Sequence, residues 1–238
     1  MRIGLLALAL CTTVFFAALG MWQLDRAEQK RVLFAEFEGR GRAPEVDLNQ
    51  RGAADGAALS GYRALATGRY RGATILLDNQ VHRGRVGYLV YTAFELRNRK
   101  ESVLVNRGWV SAGADRRRAP DLATPTVDQR LEGRLSRPPQ GGLRLEGRKL
   151  IEVLADGILR VQTIDFAVLS ATLDVELLPV TVLLDAEAPY GYVRAWTPPG
   201  TDETRHLGYA FQWFALAVTV VVVTVVVSLR SGKGGSRP

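Results

Sequence analysis

Reactive side chains are scarce in this chain. Its 238 residues include one cysteine, Cys11, and two histidines, His82 and His206. Cys11 lies inside an uncharged stretch and reads as a small apolar residue there. With no other thiol, the chain has no internal disulfide, no cysteine-based zinc site and no thiol–disulfide chemistry. The two histidines show no recognisable metal-ligand spacing, and His82 sits in Gln80-Val81-His82-Arg83-Gly84, a hairpin turn by composition. Nothing resembles a nucleophile–base pair, and Gly68-Arg69-Tyr70-Arg71-Gly72 reads as a turn rather than a nucleotide loop. The 24 acids never cluster at a spacing that marks catalysis. The net charge is +7, yet no basic run is interleaved with aromatics, so no nucleic-acid partner is expected. The densest basic cluster, Arg116-Arg117-Arg118, is bracketed by Gly113, Pro120 and Pro125 and reads as a solvated loop.

Charge is missing altogether from two long stretches, Ile3 to Gln23 and Leu207 to Leu229. At about 1.5 Å per residue, a helix of either length crosses a hydrocarbon core of about 30 Å. Acids are also absent from both ends, where Arg2, Arg230, Lys233 and Arg237 supply four of the seven net charges. Basic flanks favour the cytoplasmic side, so both termini are expected in the cytoplasm and the central segment outside. The expected layout is transmembrane helix 1 over 3–23, its helix continuing to about 37. A periplasmic β-rich domain follows over 24–205, then transmembrane helix 2 over 206–229 and a cytoplasmic basic tail over 230–238. Cleavage of a signal peptide at Ala18-Leu19-Gly20 is the alternative, but the apolar stretch is long for one. The chain starts almost directly with its span and leaves no room for a transit peptide, so the membrane expected is the plasma (inner) membrane of a bacterium. The second stretch is nearly all valine and offers no polar handle for transport.

Between the spans the pattern is β. Gly39, Gly41 and Pro44 are expected to end the first helix, and 42–60 reads as a Gly/Ala-rich loop. Short runs of branched and aromatic residues follow at 63–70, 74–77, 86–96, 103–110, 127–135, 159–164, 177–185 and 192–196. Asp165 is placed to cap a short helix. Many short strands with few helices predict a mainly antiparallel β (α+β) domain, barrel- or sandwich-like, flanked by two transmembrane helices. Thr197-Pro198-Pro199-Gly200 breaks the chain, and Thr201 or Asp202 then caps a helix running into the second span.

The membrane edges hold the candidate site. On a helix, His206, Tyr209, Ala210 and Trp213 are expected to share a face, with an imidazole beside aromatic walls. Such a face reads either as an interfacial aromatic belt or as a seat for a flat hydrophobic cofactor such as haem, with His206 as axial ligand. Arg26 and Arg205 lie at the same depth, placed to reach lipid phosphates or haem propionates.

Three segments carry a resemblance. They are Leu19-Gly20-Met21-Trp22-Gln23-Leu24-Asp25-Arg26 with Lys30, then Val103-Leu104-Val105-Asn106-Arg107-Gly108-Trp109-Val110, then His206-Leu207-Gly208-Tyr209-Ala210-Phe211-Gln212-Trp213-Phe214. In order and spacing, together with Gly87-Tyr88, they resemble the Surfeit locus protein 1 family, assembly factors for haem–copper cytochrome c oxidase. Ser111 and Glu203-Thr204-Arg205 depart from the family pattern, which commonly has a proline after the central strand and an asparagine before the histidine. The resemblance implies a non-enzymatic factor that binds haem a transiently and assists its insertion into the oxidase's catalytic subunit. His206 would be the haem-iron ligand, with Tyr209, Trp213, Trp22 and Arg26 around the cofactor. The implied partners are the catalytic subunit, haem a synthase and the lipid bilayer. A haem-free scaffold for an oxidase intermediate is the alternative. A haem-modifying oxidoreductase would lack metal or flavin ligands, and the motif order speaks against an unrelated membrane-tethered sensor.

Overall fold

In chain order the elements are α1 (Arg2–Arg42), β1 (Val46–Asp47), α2 (Leu48–Arg51), β2 (Arg63–His82), β3 (Arg85–Leu96), β4 (Glu101–Ser111), β5 (Gln129–Ser136), β6 (Ile151–Ala155), β7 (Ile158–Val161), α3 (Phe166–Leu173), β8 (Glu176–Leu184) and α4 (Glu203–Lys233). The structure is a computed structural model and describes residues 2–51, 56, 58–139, 151–196, 198 and 201–233. The chain divides into two units, Met1–Glu36 with Thr197–Pro238, and Phe37–Trp196.

The first unit is a helix pair. Two helices, Ile3–Arg42 and Glu203–Arg230, are long and apolar enough to cross a membrane. Their apolar side chains point outward: Ile3, Leu8, Phe15 and Val222 are each more than half exposed, as lipid-facing residues are. The expected break at Thr197, Pro199 and Gly200 lies outside the described residues, as do 234–238 of the basic tail.

α1 runs past 37 to Arg42, so Gly39 and Gly41 do not end it. Pro44 does, because it disfavours helical backbone at Ala43. The Ala43 N–H turns back to the Arg40 carbonyl at 3.2 Å. Gly41 serves a close approach instead: a Cβ there would overlap the Arg134 guanidinium. That guanidinium lies 4.0 Å over the Phe37 ring and 3.6 Å from Glu38.

In the second unit β2, β3, β4, β8 and β5 are hydrogen-bonded in a closed circuit, because β5 pairs back onto β2. Closure removes the exposed edges of a flat sheet. One core cluster draws residues from every strand of the circuit, including Ala64, Tyr70, Phe94, Val103, Val105, Leu131, Leu135 and Val182, and fills its interior. Leu104, between two of these on β4, faces the other way and packs with Ile75, Tyr91, Val161 and Leu169 of α3. Most pairings are antiparallel, but β4–β8, β2–β7 and β1–β2 are parallel.

Differences from the sequence expectation have local causes. The runs at 63–70 and 74–77 are one strand, bent by a bulge between Arg71 and Thr74 where Gly72 takes φ +78°. The expected loop 42–60 contains β1 and α2, whose Val46 and Leu48 are buried in the circuit's interior; 52–55 and 57 lie outside the described residues. The expected strand at 192–196 is a single bridge, Trp109 to Val193. Its side chains bond carbonyls instead, Arg194 those of Asp185 and Ala188 and Trp196 that of Leu184. The Asp165 cap forms as expected, accepting from the N–H groups of Ala167 and Val168 at 3.1 and 3.2 Å.

Candidate functional site

Within the helix pair, α1 and α4 meet along a stripe of small residues. Gly20, Gln23 and Ala27 are the buried positions of α1's inner face, and Ala210 and Ala217 those of α4. Small side chains allow close approach of the backbones, as at transmembrane helix interfaces. A Cβ at Gly20 would come within 2.7 Å of the Phe214 ring. One step deeper, Phe16 and Trp213 stack with centroids 5.6 Å apart.

At one end of this stripe, around His206, the contacts turn polar. His206 Nδ1 lies 2.8 Å from Gln23 Oε1. Its Nε2 is 3.7 Å from Asp202 Oδ2, past hydrogen-bond range. Asp202 Oδ1 is held by Lys30 Nζ at 3.3 Å. Desolvation pushes the Asp202 carboxyl up, but the hydrogen bond and charge of Lys30, with a backbone hydrogen bond and the neighbouring imidazole, together leave it below the ordinary value. The His206 side chain is 18% exposed, so the ring is mostly enclosed.

The other expected site residues are exposed or make their contacts elsewhere. Trp213 faces α1 through its stack on Phe16. Tyr209 and Trp22 are 46% and 56% exposed. Arg26 is exposed and donates to Gln29 Oε1 at 2.8 Å. Residues 206, 210, 213 and 217 follow the seam, and Tyr209 falls beside it. Gln23 and Asp202 complete the His206 environment; sequence reasoning named Asp202 only as a helix cap and Gln23 only within its motif. The signal for Gln23 was the seam itself, Gly20, Gln23, Ala27 and Lys30 at alternating three- and four-residue steps.

The central motif, Asn106-Arg107-Gly108-Trp109 on β4, is a second polar cluster. Arg107 is fully buried. Its Nε donates to the Tyr190 carbonyl at 3.0 Å, and Nη2 to the carbonyls of Tyr190 and Ala123 at 2.8 and 2.5 Å. Nη1 donates to the hydroxyls of Thr124 and Thr92 at 3.0 and 3.4 Å. The guanidinium also stands 5.1 Å from the Tyr70 ring centre and 5.2 Å from that of Tyr192. Burial pushes the Tyr70 phenol up to about 12. Asn106 bonds Tyr91 Oη at 3.0 Å and accepts from the Gly108 N–H at 3.1 Å. Gly108 takes φ +117°, with the backbones of Tyr192 and Val193 2.9 Å from where a Cβ would sit. Trp109 Nε1 donates to the Gln80 carbonyl at 2.9 Å, and His82 lies against its ring. A Cβ at Gly87 would collide with that indole, which accounts for the glycine before Tyr88. This motif therefore clamps the segments around residues 123 and 190 to the sheet, with all five guanidinium N–H donors used.

Among the described residues no three His, Cys, Asp or Glu gather into a group that could hold a metal ion. A model of the SURF1 family matches residues 10–218 of the chain, a range that takes in all three motif segments. No curated protein matches it.

Proposed function

The chain belongs to the SURF1 family of cytochrome c oxidase assembly factors, and from that premise we propose that it binds haem a through His206 and assists its insertion into the oxidase's catalytic subunit. The observation that carries this reading is the state of the imidazole. His206 bonds a protein oxygen through Nδ1 and leaves Nε2 without a hydrogen-bond partner among the described residues. A neutral imidazole so arranged has its lone pair free for a metal.

A single imidazole does not build a site for a bare ion. A metal taken here must bring most of its ligands with it, as the iron of a macrocycle does. The exposed aromatic surface of Trp22 and Tyr209 suits a flat apolar ligand, and Arg26 supplies a cation for carboxylates. The redox chemistry of haem a belongs to the oxidase; this chain binds, orients and releases. One protein ligand makes release easier than two. The chain lies in the inner membrane of a bacterium with both termini cytoplasmic and the domain of Phe37–Trp196 periplasmic, delivering to the catalytic subunit and receiving from haem a synthase.

The test is an absorption spectrum of the detergent-purified chain co-expressed with haem a synthesis, beside His206→Ala. The expected outcome is a Soret band that falls at least tenfold in the variant, with helix content unchanged. Absence of the band from both proteins, with the catalytic subunit still co-purifying, would replace haem carriage by a haem-free scaffold.

A further inference from the structure

We infer that Gln23 and Lys30 are positioning residues for His206: Gln23 keeps the ring proton on Nδ1, and Lys30 holds Asp202 back from Nε2, so that Nε2 keeps its lone pair for an incoming metal centre. The inference deepens the haem reading and rests on it for the identity of the ligand only.

A neutral imidazole has one N–H, and whichever nitrogen carries it is lost to a metal. The bond made by one ring nitrogen decides the state of the other. Here the choice is contested. Gln23 presents a carbonyl oxygen to Nδ1 at 2.8 Å, which favours the proton there. Asp202 is an acceptor on the opposite side; brought onto Nε2 it would favour the proton at that nitrogen instead. Two features settle the contest. Gln23 is 8% exposed, so water does not compete for its amide. Asp202 is engaged by Lys30 through its other oxygen at 3.3 Å, and its nearer oxygen lies 3.7 Å from Nε2.

The register of α1 makes this arrangement available. Gln23, Ala27 and Lys30 occupy successive inner positions, so the amide and the ammonium reach α4 a little less than two turns apart. Asp202 and His206 stand one turn apart on α4's approach, with the carboxylate nearer Lys30 and the ring nearer Gln23. Neither Gln23 nor Lys30 touches the ligand in this arrangement; both act through the ring.

The experiment labels histidine with 15N in the full chain in detergent, at a pH where the ring is neutral, and reads which nitrogen of His206 is protonated. His206→Ala identifies the signals against those of His82. The wild type is expected to show protonated Nδ1 and unprotonated Nε2. Gln23→Leu and Lys30→Met are each expected to shift the ring toward protonated Nε2 and to weaken titrated ferric haem about tenfold, the usual scale for outer-shell changes at metal sites. Gln23→Glu keeps an acceptor at Nδ1 and is expected to restore the wild-type tautomer, which a merely structural role for Gln23 would not require. Protonated Nε2 in the wild type, or an unchanged tautomer in both variants, would overturn the inference. The two readings fail separately. Protonated Nδ1 in a chain that takes no haem sinks haem carriage and supports the positioning, whereas protonated Nε2 in a chain that does bind haem does the reverse.

Discussion

Arg107 and His206 are the two motif residues whose surroundings contrast most. Arg107 lies inside the β domain with every N–H spent on a carbonyl or hydroxyl. His206 lies in the helix pair with one nitrogen bonded and the other without a hydrogen-bond partner among the described residues. A buried polar side chain with its bonds complete is architecture; one that keeps a free valence is where a ligand can be added. The difference separates a motif whose polar bonds are complete from one that keeps an unbonded ring nitrogen among the described residues. It also gives a strand sequence as distinctive as Asn106-Arg107-Gly108-Trp109 a structural task, holding the segments around residues 123 and 190.

The largest effect that would break this contrast is on stability. Arg107→Lys replaces a planar five-donor fork by a three-donor ammonium and leaves carbonyls of Ala123 or Tyr190 unsatisfied. The expected cost is about 3–5 kcal/mol, the range for breaking a buried polar network. His206→Ala should cost less than about 1 kcal/mol, the scale of one ordinary hydrogen bond. Denaturant titration of the full chain in detergent, followed by near-ultraviolet circular dichroism, compares the two. Equal costs would mean that His206 is architecture too.

Gly108→Ala tests the clamp without touching a charge. The φ of +117° strains any L side chain, and the backbones of Tyr192 and Val193 leave no room for a methyl. The expected loss is about 2–3 kcal/mol in the same titration, with the Trp109–Val193 bridge opened. A variant as stable as wild type would show that the segment around residue 190 is not held through β4.

Much of the fold was legible in the sequence, and the unread parts share a cause. The strands at 86–96, 103–110 and 177–185 announce themselves by branched and aromatic residues, and Asp165 by its place before a short apolar run. Val46 and Leu48 do not, because their neighbours are the polar Glu45, Asp47 and Asn49 and their burial depends on a circuit closed by strands distant in the chain. Closure itself rests on β5 returning to β2, a pairing that no local period encodes. The site divides the same way. His206 was marked by its place at the edge of a span, whereas Gln23 was marked only as part of a motif beside the bulkier Trp22. Their contact joins residues 183 positions apart and needs the register of two helices. That register also sets Tyr209 beside the seam, since a pair meeting every three and four residues takes 206, 210, 213 and 217 inward.

The smallest effect at neutral pH sharpens the comparison from the other side. Tyr70 is a buried group that could answer Arg107 with a negative charge, its ring centre lying 5.1 Å from the guanidinium. Desolvation opposes this more strongly than Arg107 assists it, and the phenol stands at about 12. A folded value raised above the unfolded one gives stability that is complete below about pH 10 and is lost as pH rises toward 12. The whole loss is roughly 2–3 kcal/mol at about 1.4 kcal/mol per pH unit. Tyr70→Phe should therefore change stability by less than about 1 kcal/mol at pH 7, where no bond is removed, and flatten the alkaline decline. Denaturant titrations at pH 8 and pH 11, with tyrosinate absorbance read alongside, measure both. Tyr70 ionising near pH 10 in the folded chain would mean that Arg107 offsets the desolvation of the phenolate, and the alkaline decline assigned to Tyr70 would be absent. Ionisation delayed toward pH 12 would leave the guanidinium answered by neutral oxygens alone, as its five bonds imply.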